Sequence, residues 1–202
     1  MKLNRLLLMV CLLTCCLFSW REARASHAAG ADLTYTCLGN NQYQINLAFY
    51  RDCDGIAAPT NASVTIFNGC TGSTTSLTLV RQGFVEVTQL CPSQINNSSC
   101  NGGNLPGIQQ YTYSANYTFP TSCTNYTIRY ELNARNAAVT NLQSPGSVDL
   151  YVEATLNGIT PNICNNSSFF TSLPVPFICV GNQFFYNHGA VDVDGDSLVY
   201  TL

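Results

Sequence analysis

Polar and apolar positions alternate with a period of two over most of this chain. Tyr43, Ile45, Leu47 and Phe49 are separated by Gln44, Asn46 and Ala48. Ile128, Tyr130 and Leu132 enclose Arg129 and Glu131, and Val148, Leu150, Val152, Ala154 and Leu156 enclose Asp149, Tyr151, Glu153 and Thr155. Successive side chains of a strand point to opposite faces, so each run predicts one buried and one wet face. Further strands are predicted over 32–38, 62–67, 74–81, 83–90 and 109–118, which are rich in Val, Ile, Thr, Tyr and Phe. Gly39-Asn40-Asn41 reads as the turn of a first hairpin and Gln82-Gly83 as a second turn. Residues 91–108 and 157–167 are loops by composition, and a helical turn is expected only near 136–142. The pattern predicts an all-β chain, an antiparallel β-sandwich of jelly-roll or Ig-like type.

Both ends depart from that pattern. Lys2 and Arg5, an apolar run over 6–20, and Ala23-Arg24-Ala25 before Ser26 read as a secretory signal peptide over 1–25. The run is short for a membrane span, so no transmembrane helix is expected in the mature chain. At the other end Pro174-Val175-Pro176 is a stiff connector, followed by strand candidates at 183–187 and 197–202. Two strands cannot bury a core. The expected division is therefore a β-sandwich domain over 26–173, then a linker and the first strands of a second, cadherin-like or Ig-like domain over 174–202. The alternative is that the two strands pair back onto the first domain's edge.

Removing the signal changes the composition. The whole chain is 9% charged with net charge −3, but after residue 25 only four arginines and no lysine face ten acidic residues. Nothing resembles the basic stripe of a nucleic-acid binder. Eight cysteines remain: Cys37, Cys53, Cys70, Cys91, Cys100, Cys123, Cys164 and Cys179. An even set with no Cys-x-x-Cys pair reads as disulfides of an oxidising compartment. Connectivity stays open, with Cys91–Cys100 favoured as a local pair.

Candidate chemistry is sparse. Asp192, Asp194 and Asp196, with Gly195 for a bend, are candidate Ca²⁺ ligands, against an acidic turn that binds nothing. Tyr111, Tyr113 and Tyr117 share a strand face and are candidates for stacking on a sugar, against packing in the core. Asp52-Cys53-Asp54-Gly55 reads as a turn. Glu86, Glu131 and Glu153 are carboxylates of wet strand faces that a glycoside hydrolase would pair in space. The two histidines after the signal are His27 and His188, and no nucleophile motif accompanies them.

Ser26-His27, Leu33-Thr34-Tyr35-Thr36-Cys37 and Tyr50-Arg51-Asp52-Cys53 resemble the start of large surface proteins of gliding bacteria. Arg135-Asn136-Ala137-Ala138, Tyr151-Val152-Glu153-Ala154 and the run from Gly189 to Leu198 match the same pattern. Such proteins are long and built of β-domains, and often end in a gliding-motility-associated or type IX secretion sorting domain. The chain departs from them at Asn133-Ala134, where they carry a cysteine pair. The resemblance implies export and display on the outer surface, or release. The expected function is a non-enzymatic, adhesin-like protein whose β-domain meets a cell-surface glycan, polymer or protein. The alternative is a carbohydrate-binding accessory module of a secreted polysaccharide-degrading enzyme.

Overall fold

A computed structural model describes residues 28–120, 123–133, 135–136, 139, 141–159, 164–174, 178–181, 183–187 and 189–201. The signal peptide, His27 and His188 lie outside the described residues. The chain is all-β and antiparallel. Seven strands form one sheet: β1 (Ala28–Gly39), β2 (Gln42–Asp52), β3 (Asn61–Asn68), β4 (Thr74–Glu86), β5 (Ile108–Thr118), β6 (Asn125–Leu132) and β7 (Leu150–Asn157). Their order is β1-β2-β5-β4-β3-β6-β7.

The sheet folds over on itself, and β4 is the corner. Residues 74–80 pair with β3, whereas residues 80–86 pair with β5. Between these stretches the register skips Gln82, with Arg81 opposite Tyr113 and Gly83 opposite Thr112. The predicted turn at Gln82-Gly83 is thus a bulge. An extra residue bends a strand and sharpens its twist without reversing it, so 74–86 is one strand and not two. The fold brings β1 over β7, where the Tyr35 hydroxyl donates to the Thr155 carbonyl at 3.1 Å.

The alternating apolar residues line the enclosed faces. Ile45, Val64, Leu79, Ile128 and Leu156 are fully buried. Aromatic rings bridge the layers edge to face, with Tyr43 and Tyr126 on either side of Phe119 and Phe49 against Tyr130. The first hairpin turns at Gly39-Asn40-Asn41 as predicted. All three residues have positive φ (89°, 52° and 58°), a conformation that Gly and Asn tolerate best.

Four disulfides staple this frame: Cys37–Cys164, Cys53–Cys100, Cys70–Cys123 and Cys91–Cys179. The favoured local pair Cys91–Cys100 is not formed. Register explains why. Asp52 of β2 lies opposite Ile108 of β5, so Cys53 arrives beside Gly107, donating its N–H to that carbonyl at 2.8 Å. Loop 91–107 folds into two 3₁₀ turns, Pro92–Asn97 and Ser99–Asn101, which press Cys100 against the same glycine. Cys91 is left facing the C-terminal segment.

That segment departs most from expectation. Residues 183–187 and 197–201 form no strands; Phe185 and Val199 are more than 80% exposed, with no sheet face to cover them. Instead a two-residue ladder joins β8 (Phe169–Phe170) to β9 (Ala190–Val191). Within the expected helical stretch the described residues are irregular, and a 3₁₀ turn follows at Pro145–Ser147. Among the described residues no helix is long and apolar enough to cross a membrane.

Candidate functional site

The wet face of β1, β2, β5 and β4 is ruled into rows by strand register. Gly30, Tyr50, Gln110 and Val85 form one row; Asp32, Ala48, Thr112 and Gly83 the next. Thr34, Asn46, Ser114 and Val80 form a third, and Thr36, Gln44 and Asn116 a fourth. The floor so made consists chiefly of hydroxyls and amides. Residues 168–173 pass beside it and enclose a groove of about 700 Å³, with Phe169 and Phe170 in its wall. A second cavity of about 420 Å³ shares Asp32, Tyr50 and Phe170 and continues to Pro174 and Tyr186.

Three side chains cross this floor in a chain of hydrogen bonds. Gln110 donates through Nε2 to the Tyr50 hydroxyl at 3.1 Å, and that hydroxyl donates to Asp32 Oδ2 at 3.0 Å. Burial raises the Asp32 carboxyl above its usual range, and the bond from Tyr50 partly opposes this. Burial and the adjoining Asp32 together push the Tyr50 phenol up. Both groups are thus fixed in place, with Tyr50 held as a neutral donor at neutral pH.

The edge beside this floor is covered. Ser167 accepts from the Tyr35 N–H through Oγ at 2.9 Å and donates its own N–H to the Tyr35 carbonyl at 3.0 Å. Asn166 Oδ1 accepts from the Cys37 N–H at 2.9 Å. The free edge of β1 is therefore covered at Tyr35 and Cys37 by the segment that Cys37–Cys164 anchors.

The tyrosine stripe turns inward. Tyr113 is buried and donates to the Pro59 carbonyl at 2.8 Å; Tyr111 is buried against Phe84 at 5.2 Å between ring centroids; Tyr117 packs edge to face on Phe119. These rings belong to the core, because the register that points Gln110, Thr112 and Ser114 outward points 111, 113 and 117 inward.

The acidic loop closes on itself. Asp192 Oδ1 accepts the N–H groups of Asp194 and Asp196 at 2.9 and 3.2 Å, and the Asp194 carboxylate accepts the N–H of Asn166 at 2.6 Å. Among the described residues no group of three or more His, Cys, Asp or Glu side chains converges to hold a metal ion. Glu131 and Glu153 stay on the exposed face of β6 and β7, where Glu153 pairs with Arg129 at 3.7 Å. Glu86 accepts from Asn101 at 2.9 Å on another surface.

The turn Asp52-Cys53-Asp54-Gly55 is a knot built around Arg51. The guanidinium donates to the carbonyls of Cys53, Gly55 and Ile56 and to Gln109 Oε1. Asp52 accepts the Asp54 N–H at 3.0 Å and the Asn136 side-chain amide at 2.8 Å. Two separate stretches that carry the resemblance thus meet in space, and the knot fixes the end of β2 that carries Tyr50.

Compared with protein-family models, with curated proteins and with solved structures, the chain matches none. The groove is accordingly read from its own chemistry. Asp32, Tyr50 and Gln110 carry no local motif; their only signal in the sequence is that each falls on the strand face opposite the alternating apolar residues, where Tyr50 is itself buried beside Val87 and Ile108.

Proposed function

We propose that this chain is a non-enzymatic, adhesin-like protein, secreted or held on the outer cell surface, that attaches to a surface polymer through the groove. The observation that carries this reading is the groove itself, whose volume lies within the range of about 300–1,000 Å³ typical of ligand sites. Its floor of hydroxyls and amides is held by strand register and not by mobile loops. Four disulfides suit an oxidising environment outside the cytoplasm. The same floor also fits the second reading, a carbohydrate-binding accessory module of a secreted polysaccharide-degrading enzyme.

The test has two arms. The full chain, made with its own leader, is located by antibody labelling and protease shaving of intact cells and by assay of the medium. The oxidised protein is then passed over insoluble polymers and cell-wall preparations. Exposure or release, together with retention on a polymer, is expected. Confinement to the cytoplasm, or passage through every matrix, refutes the reading.

A further inference from the structure

We infer that the groove takes a neutral, hydroxyl-rich polysaccharide chain lying along the strands. The inference rests on the adhesin-like reading and names the ligand class of the same site. Four rows two residues apart extend about 20 Å along the sheet, at about 3.4 Å per residue, which suits a stretch of several sugar rings.

The floor matches polyols. The hydroxyls of Thr34 and Ser114 donate one hydrogen bond and accept two, whereas Thr112 already donates to the Gly83 carbonyl at 3.5 Å and Asn46 commits one N–H to the Gln44 carbonyl at 3.4 Å, both keeping their acceptor oxygens for a ligand. Gln110 commits one N–H to Tyr50, which leaves its carbonyl oxygen and second N–H for a ligand. The bond to Asp32 points the Tyr50 hydroxyl so that its lone pairs receive Gln110 and leave the phenol ordered. One wall is apolar: Phe169 and Phe170 line it and are 44% exposed or more, whereas on the β4 side Gln82 lines the groove and Val80 and Val85 end two rows beyond it. A polar floor beside an apolar wall offers hydroxyls their partners and ring C–H faces their contacts.

Charge selects against anions. Among the described residues lining the two cavities there is no Arg, Lys or His, and the charged groups are Asp32 and Glu153. Glu153 is paired with Arg129, so a uronate or phosphate polymer would meet the Asp32 carboxylate and no cation among the described residues of the lining. β2 and β5 are paired on both sides, and the outer edge of β1 is bonded to Ser167 at Tyr35 and to Asn166 at Cys37, so an extended peptide cannot add a strand at those positions.

The test is affinity electrophoresis of the full oxidised chain, made with its leader, through gels containing neutral glucan, xylan or mannan, polyanionic alginate or polygalacturonate, or gelatin. At least one neutral polysaccharide should retard it. Gln110→Ala and Phe170→Ala should each weaken that retardation about fivefold or more, while Glu131→Gln on β6 leaves it unchanged. Phe170 is exposed, so its variant keeps the fold, and intact disulfides and near-UV circular dichroism verify this for both. Retardation by the polyanions or gelatin alone overturns the inference. So does neutral retardation that both variants retain, an outcome that leaves the adhesin-like reading standing. A chain confined to the cytoplasm that still shows the predicted variant losses refutes the adhesin-like reading and supports the groove chemistry.

Discussion

Asp32 shows how a wet strand position becomes a special one. Tyr50 and the neighbouring segment cover it, and burial lifts its carboxyl above the usual value of 3.8. An acid raised in the folded chain holds its proton more tightly there than in the unfolded chain. Its contribution to stability is therefore fully present below the unfolded pKa and is lost as pH rises through the folded one. Asp32→Asn removes this loss and keeps an acceptor for the Tyr50 hydroxyl. Its urea midpoint should rise relative to wild type between pH 3 and pH 7, and a fall over that interval would refute the assignment. Arg51 is the second residue with a defined duty. Its planar fork serves three carbonyls and Gln109 together, which a lysine ammonium cannot do. Arg51→Lys should cost about 1–3 kcal/mol in urea titrations, and a variant within error of wild type would show the knot to be incidental.

At the scale of elements, the edge of β1 is managed by a segment more than a hundred residues away. Tyr35 N–H is bonded to a side chain, Ser167 Oγ, and not to a strand. Ser167→Ala should speed exchange of the Tyr35 amide without altering that of Ile45, whose strand is paired on both sides. Equal protection of both amides would mean that the edge is covered otherwise. Such long-range coverage marks what the sequence could convey. Alternation at 43–49 and 128–132 placed β2 and β6, and Gly39-Asn40-Asn41 placed the hairpin that joins β1 to β2, because these signals are local. The bulge at Gln82 looked like a turn because a glycine after a polar residue marks either, and only pairing with both β3 and β5 decides. Tyr111 and Tyr113 formed a visible stripe, yet which face of β5 lies inward depends on its neighbours. Asp32, Tyr50 and Gln110 come together only through the registers of β1, β2 and β5, and no spacing within one strand announces that.

Across the whole molecule, two different kinds of stability meet. The strands bury their apolar faces, whereas no described residue from 164 onward is buried. That C-terminal segment walls the groove; two disulfides and the bonds of Asn166 and Ser167 to β1 hold it to the rest, and a two-residue ladder and the Asn166–Asp194 bond tie it to itself. Hydrophobic burial therefore secures the floor, and covalent ties secure the wall. Replacing Cys91 and Cys179 together by serine tests this division. The sheet retains its core and its other three disulfides, so the cooperative thermal transition should move by only a few degrees. The wall loses one of its two covalent anchors and opens locally at far lower cost than global unfolding. Cleavage by a nonspecific protease between 168 and 190, mapped by mass spectrometry, should accelerate tenfold or more, with strands β1 to β7 still resistant. If the sheet melts together with the segment, the wall belongs to the same cooperative unit as the floor. If cleavage is unchanged, hydrogen bonds and the Cys37–Cys164 tie suffice, and the groove keeps its shape without the Cys91–Cys179 bridge.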